Sequence, residues 1–356
     1  LILGLVFQLG LLVAVKYAGF FFGAFIDLPK LHLPLGVSFY TFHAISYLVD
    51  VYRQKTPPQK NLLRLGLYLA LFPKLVMGPI VPYHELEPAL AQRTIDAQDV
   101  SDGCFRFTIG LAKKALLADA LAGLVTGIWG DLASLTVLSA WLGLIGYALQ
   151  LYFDFSGYSD MAIGLGRMLG FRFPENFRYP YLCSSISDFW RRWHISLGSW
   201  FKEYLYFPLG GSRAGTLRTL RNLLLVWLAT GLWHGASWNY VLWGLYFGVL
   251  ICLEKLLAPR FRAHPRKGLL AGLYRPVCLL LAVLGWVLFR AEDLPAAGRY
   301  FACLFGGAAG ASAQARLYLH DFWPVLLLGA VGATPLCAKL AGRLGAKLRP
   351  GVRAVV

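Results

Sequence analysis

Long apolar runs, several closed by basic clusters, leave this chain few ways to fold. Residues 1–26 are apolar apart from Gln8 and Lys16. Further runs lie at 34–50, 62–82, 105–129, 134–153, 159–170, 222–252, 269–290 and 322–342. Only 15% of the 356 residues are charged and 58% are hydrophobic, whereas an average soluble domain carries about 25% charged residues. This balance excludes a disordered chain, a collagen, a coiled coil and a small disulfide scaffold. A polytopic membrane protein remains, with room for roughly eight to ten spans at about 20 apolar residues each. The sequence opens at Leu1 inside an apolar run, with no basic region or cleavage site before it. We therefore expect a fragment, or a chain whose first residues are missing.

Lys and Arg total 34 against 18 Asp and Glu, a formal net charge of +16. In a soluble protein this excess would suggest nucleic acid, but no recognition module is present. The basic residues cluster at the ends of apolar runs, at 213–221, 260–267 and 339–353. There they anchor helices against anionic lipid, and the last two clusters are expected on the cytoplasmic side. Lys113 and Lys114 read as another cytoplasmic anchor. The six cysteines form no C-x-x-C pair and read as small buried hydrophobes, so neither a disulfide framework nor a metal site is indicated. Without an internal repeat or a soluble module, residues 1–356 read as one membrane domain.

The third run is interrupted by Pro73 and Pro79 and holds Arg64 and Lys74, which predicts a broken or protein-buried segment. Residues 84–102 are polar and read as a loop or interfacial stretch. The 159–170 run is too short to span alone, and 222–252 is long enough for one span and part of another. Residues 171–211 are rich in aromatic and basic side chains, with Pro174, Pro180 and Pro208. Amphipathic helices lying in the interface or re-entering the membrane suit them. Ser185 followed by Asp188 resembles a capping box and predicts a helix start.

Ionisable groups inside such runs are costly unless they pair or face water, and three groups stand out. The first is Trp233-His234-Gly235. Helical spacing would put Thr230, His234 and Ser237 on one face, with Gly231 and Gly235 letting a second helix approach closely. His234 reads either as a catalytic imidazole, with a pKa suited to proton transfer near neutrality, or as a packing histidine bonded to a carbonyl. The second group is Arg191-Arg192-Trp193-His194, with Asp188 at pairing distance from either arginine. Its guanidinium groups suit ligand phosphates. The alternative is snorkelling arginines, with Trp190, Trp193 and Trp200 as interfacial belt residues. The third is the stripe Gln150, Asp154 and Tyr158, following Tyr147. Asp154 needs a partner, for which a histidine or arginine of the second group is a candidate, and a structural ion pair competes with a catalytic role. The marks of serine hydrolases, P-loop proteins, dinucleotide-binding folds and zinc peptidases are absent.

Five segments together resemble the membrane-bound O-acyltransferase (MBOAT) family, in its bacterial branch of alginate O-acetylation and teichoic acid D-alanylation proteins. They are LPLGVSFYTFHAISYLVDVYR (33–53), FPKLVMGPIVPYHELEP (72–88), QLYFDFSGYSDMAIGLGRMLGFRFPENFRYPY (150–181), SISDFWRRWHISLGSWFKEYLYFPLGG (185–211) and GLWHGASWNYVLWGLYFG (231–248). Their order and spacing match, and WVLFRAEDLPAAGRYF (286–301) is similar to the alginate-type branch. The resemblance implies an all-α, polytopic fold, a ring of transmembrane helices with re-entrant and interfacial helices around a central tunnel. Members are longer, so N-terminal and some C-terminal helices of the ring are expected to be missing here. Pro82 stands where a basic residue is expected.

The resemblance further implies that His234 matches the family's catalytic histidine and His194 its second position. The expected activity is membrane O-acetyl transfer from acetyl-CoA to an extracytoplasmic polysaccharide such as alginate, with no bound cofactor. Arg191 and Arg192 would receive donor phosphates, and Gln150, Asp154, Tyr158, Trp193 and Trp233 are the other candidate substrate-binding residues. A separate SGNH-type acetyltransferase would complete transfer, in a bacterial cytoplasmic membrane. The alternatives are D-alanyl transfer from a carrier protein to teichoic acid, and a transporter or channel.

Overall fold

A computed structural model describes residues 1–22, 34–213, 215–263 and 269–347. No β-strand occurs among them; a single isolated bridge pairs Phe177 with Trp193. The helices are α1 (Ile2–Phe22), α2 (Val37–Tyr52), α3 (Leu62–Ala70), α4 (Phe72–Leu75), α5 (Tyr83–Ala91), α6 (Ala97–Ala112), α7 (Asp119–Trp129) and α8 (Val137–Met168). Then follow α9 (Ile186–Trp190), α10 (Ile195–Phe201), α11 (Thr216–His234), α12 (Trp238–Ala263), α13 (Leu269–Arg290), α14 (Leu294–Leu304), α15 (Ala313–Gly332) and α16 (Leu336–Lys347). Among the described residues three π turns occur, Val13–Tyr17 inside α1, Lys113–Ala118 after α6 and Lys202–Tyr206 after α10.

Four of the described helices are long and apolar enough to cross a membrane: Ile2–Phe22, Val137–Met168, Trp238–Leu257 and Leu273–Arg290. The apolar runs had room for more, but several are broken. The third run divides as its prolines predict. Asn61 caps α3 by accepting the Leu63 and Arg64 amides at 2.9 and 3.2 Å. Pro73 opens α4, and the chain then turns so tightly that a Cβ on Gly78 would lie 2.4 Å from the Pro73 carbonyl oxygen. Lys74 is fully buried there, its ammonium 4.2 Å from the Tyr68 ring centroid.

Two boundaries differ from the sequence expectation. The 134–153 and 159–170 runs are one helix, α8, because Asp154 to Tyr158 stay helical and the polar groups between the runs find partners. Residues 84–102, expected as a loop or an interfacial stretch, are mostly helical, in α5 and the start of α6, which leaves the second of these readings. The basic clusters at 260–267 and 339–353 lie partly outside the described residues, as does the end of the first run.

The chain forms two compact units. The first comprises residues 1–108, 158–176 and 194–237. One of its cores gathers Phe39, Phe42, Ile45, Trp200, Phe201 and Trp233, and another gathers Tyr68, Val81, Tyr83, Leu86 and Phe171. Arg106 on α6 bridges two carboxylates here, 2.6 Å from Asp160 of α8 and 2.6 Å from Glu175. Beside this bridge the two helices approach through glycines. A Cβ on Gly164 would fall 2.5 Å from the Gly103 carbonyl oxygen, so only the smallest residue permits the contact. The second unit comprises 109–157, 177–193 and 238–356. Its described core is aromatic, with Phe189, Trp193, Trp243, Phe247 and Trp286 buried.

Candidate active site

The first unit carries both candidate histidines. Helix α11 ends at His234, because Gly235 adopts an extended conformation (φ −172°, ψ 156°). The expected polar face of Thr230, His234 and Ser237 therefore does not form. Ser237 lies beyond the helix, and the Thr230 hydroxyl donates to the Val226 carbonyl one turn back at 2.8 Å. The extended Gly235 ends the helix, its amide lying 3.4 Å from the Gly231 carbonyl oxygen. His234 is thus a helix-terminal, half-buried imidazole.

His194 is 3% exposed and precedes α10 in the left-handed conformation (φ 45°, ψ 53°). Its Nδ1 lies 3.3 Å from Oδ1 of Asn176. The same oxygen accepts the Ser196 amide at 3.1 Å and the Ser196 hydroxyl at 3.0 Å, while the Asn176 carbonyl accepts the Ile195 amide at 3.0 Å. Asn176 Nδ2 donates to Ser159 Oγ at 3.1 Å. An unfavourable backbone conformation at His194 is thereby held by bonds from one buried asparagine. The Trp233 indole stands near both imidazoles, its centroid 4.9 Å from that of His234 and 6.3 Å from that of His194. The two imidazoles also interact electrostatically.

Two cavities adjoin this core within the first unit. One, of about 320 Å³, is the more polar of the two, lined by Lys55, His84, Ser196, Ser199, Lys202 and Glu203 together with apolar side chains such as Ile80 and Phe207. The other, of about 470 Å³, is almost wholly apolar and reaches Tyr17, Leu232 and Trp233. Trp200 and Tyr204 line both. The floor of the polar cavity at Ser196 is the group that bonds Asn176, the support of His194. Within that cavity His84 Nδ1 lies 2.7 Å from the fully buried carboxylate of Asp50, which also accepts the Tyr204 hydroxyl at 2.9 Å. Across its rim, Lys55 and Arg53 hold Glu203 at 2.8 and 3.0 Å.

The arginine group belongs to the second unit. Ser185 caps α9 as the sequence predicts, accepting the Asp188 amide at 2.9 Å. Asp188 pairs with both arginines, Arg191 at 3.5 Å and Arg192 at 3.1 Å. Glu254 secures the helix start by accepting the Ile186 and Ser187 amides at 2.6 and 2.9 Å, favourable for an anion at a helix N-terminus. The Arg191 side chain is 69% exposed. Trp193 is not a membrane-belt residue. It is 4% exposed and packs at 4.8 Å from Trp286 and 5.1 Å from Phe177. In the first unit Trp200 is likewise buried, stacked 3.9 Å from Phe42. Both rings do core packing.

The third group shares one helix, α8, as its spacing predicts. Asp154 finds Lys114 at 2.7 Å, and Lys114 also holds Asp119 at 2.6 Å. Its partner is therefore a lysine read from sequence as a membrane anchor. Gln150 has its Oε1 buried without a hydrogen-bond partner among the described residues. Tyr158, in the first unit, has a hydrogen bond with the Met77 backbone. Asn176, Asp50 and His84 escaped the sequence reading. The one signal for Asn176 was an uncharged polar residue within the aromatic stretch FRFPENF.

Comparison with known proteins gives this geometry its context. The profile of the MBOAT, membrane-bound O-acyltransferase family matches residues 60–271. The chain is 45% identical over 316 residues to a probable alginate O-acetylase (AlgI) of Pseudomonas aeruginosa, covering 86% of this chain and 60% of that protein. It is 37% identical over 333 residues to a peptidoglycan O-acetyltransferase of Helicobacter pylori, covering 83% and 63%. With a teichoic acid D-alanyltransferase of Bacillus subtilis it shares 29% identity over 248 residues, covering 64% and 62%. The chain thus spans about three fifths of the length of these relatives. With its apolar helices and this extent of match, the chain is an all-α, multi-pass membrane protein that belongs to the membrane-bound O-acyltransferase family.

Proposed function

We propose that the full protein is an O-acetyltransferase that passes an acetyl group from acetyl-CoA toward an extracytoplasmic polysaccharide, with alginate the first candidate acceptor. The observation that carries this reading is the pairing of a helix-terminal His234 with an asparagine-oriented His194 about one indole, Trp233. Similarity to proteins named for alginate and peptidoglycan O-acetylation supports the acetyl cargo. The His234 imidazole takes the proton of the acceptor hydroxyl as its oxygen attacks the thioester carbonyl carbon. The tetrahedral oxyanion collapses, the carbon–sulfur bond breaks, and the thiolate leaves with the proton returned by the imidazolium. His194 positions the acyl group or assists this proton relay.

Arg191 and Arg192 belong to the other unit and are proposed, on their own chemistry, to meet donor phosphates. Gln150, Tyr158 and Trp233 stay as candidate contacts, while Asp154 and Trp193 are better read as supports of the helices around them. No resident cofactor is required by this chemistry. The proposed setting is a bacterial cytoplasmic membrane, with an SGNH-type partner completing transfer outside. D-alanyl transfer is the second reading, favoured by the similarity to the teichoic acid enzyme. Replacing His234 with Ala should abolish acylation of cell-surface polymer at unchanged protein level. Retained acylation would refute the reading, and mass spectrometry of the polymer distinguishes acetyl from D-alanyl.

A further inference from the structure

The last turn of any helix leaves carbonyls without intrahelical donors. In α11 two of these carbonyls are taken by one short segment of α1. The Tyr17 hydroxyl donates to the Leu232 carbonyl, and the Lys16 ammonium donates to the Trp233 carbonyl. Lys16 also donates to Ser38 Oγ at 3.2 Å and lies 5.7 Å from the Trp233 ring centroid. All of these groups belong to the first unit.

The segment that reaches across is unusual in two ways. Lys16 and Tyr17 end the π turn Val13–Tyr17, whose wider winding brings neighbouring side chains closer in direction than an α turn does. Such turns inside α-helices recur at functional sites. Lys16 also stands within a helix apolar enough to cross a membrane, where an ammonium is costly unless it has a task. At its own helix end it would snorkel to the interface; here it is spent on another helix's carbonyl. A cation at a helix C-terminus is favourable, and this one lies close enough to interact electrostatically with the His234 imidazole, the next residue after the carbonyl it holds.

We infer that Lys16 is a positioning residue for acyl transfer, clamping with Tyr17 the final carbonyls of α11 and thereby fixing the direction of the His234 imidazole. This inference rests on the acetyl-transfer reading. Bound in this way, the last turn cannot fray, and His234 keeps its place against Trp233 while the acceptor hydroxyl approaches. A small displacement of such a group can cost roughly a hundredfold in rate. The polar clamp reaches the end of α11 from a segment more than two hundred residues away in sequence.

The test uses the full-length protein in its native membrane, following thiol released from acetyl-CoA above the background of His234→Ala. Lys16→Met should lower kcat roughly 10- to 100-fold with donor KM unchanged and normal abundance. Lys16→Arg keeps a cationic donor and should restore most of the rate. Tyr17→Phe removes the second donor and should lower kcat by a smaller factor, which tests the clamp even where Lys16→Met does not accumulate. A simple loss of fold would lower abundance and would not yield a kcat loss rescued by arginine. Wild-type kcat in Lys16→Met, or a rise in KM alone, overturns the inference while His234→Ala remains dead. An active His234→Ala would instead overturn the acetyl-transfer reading itself.

Discussion

Asn176 Oδ1 fixes the tautomer of His194. That oxygen already accepts the Ser196 backbone N–H at 3.1 Å, so the atom facing His194 is an acceptor and Nδ1, 3.3 Å away, must carry the proton. Nε2 then holds the lone pair, the form that can accept a proton or a donor. The order matters. A backbone amide cannot be reversed, so it determines the amide orientation of Asn176, and Asn176 in turn determines the imidazole.

Asn176→Ala should therefore lower acetyl transfer by roughly a hundredfold, the scale on which a misdirected acid–base group is felt. It leaves the buried Ser196 amide and the His194 ring without their acceptor, so a fall in thermal stability of about 1–3 kcal/mol should accompany it. Asn176→Asp keeps an acceptor oxygen for both and should retain more activity. Rates normalised to protein level, with thermal unfolding in detergent, check both. Equal loss in the two variants would remove the tautomer argument.

Asp154 and Lys114 are expected to be structural. Their side chains are 39% and 40% exposed, and their 2.7 Å contact joins α8 to the π turn after α6 within the second unit. A double-mutant cycle with Asp154→Asn and Lys114→Met should give a coupling of about 0.2–1 kcal/mol. Acetylation by Asp154→Asn should stay within a few-fold of the wild type. A loss comparable to that of His234→Ala would return Asp154 to the chemistry.

What the sequence conveyed, and what it did not, follows from distance along the chain. The break at Pro73 and Pro79, the cap at Ser185 and the pairing of Asp188 with Arg191 or Arg192 depend on local spacing and were readable, and the structure shows Asp188 meeting both arginines. The polar stripe of Gln150, Asp154 and Tyr158 was readable for the same reason. The partner of Asp154 was not, because Lys114 is forty residues away and its flanking apolar residues suggested an anchor. Trp193 and Trp200 have the composition of belt residues, and only packing shows that they are core. The end of α11 was signalled by Gly235, but hydrophobic content on both sides masked it. The donors to its last carbonyls lie at the far end of the sequence, where no periodicity could reveal them.

The Arg106 bridge should be essential to the first unit. Asp160 is 5% exposed and has Arg106 at both 2.9 Å (Nε) and 2.6 Å (Nη2). Arg106→Ala takes the guanidinium from a nearly buried carboxylate, and because Arg106 is itself 35% exposed the loss should fall at or below the roughly 3–5 kcal/mol of a fully buried pair broken from one side. The variant should accumulate poorly in membranes. Removing the charge at both ends, with Arg106→Met and Asp160→Leu together, should recover much of the loss. If the single variant accumulates normally, the bridge is not what holds α6 to α8 there, and the glycine contact beside it carries the packing.

Glu203 provides the pH-dependent test, at the cavity it shares with His84. The hydrogen bond from Lys55 holds its carboxyl below the usual range, aided by the charges of Lys55 and Arg53 and opposed by partial burial. A folded-state value below the unfolded one means stabilisation that is complete above the unfolded pKa, about 4.3 for Glu. It is lost as pH falls through the lower folded value, where protonation releases both cations. The carboxylate is one third exposed, so solvent screening limits the contribution to about 1 kcal/mol or less. Glu203→Gln should therefore unfold at a lower temperature than the wild type near pH 7, and the two should converge below about pH 4. A difference that persisted undiminished at the acid end would show that Glu203 acts there through packing and not through its charge.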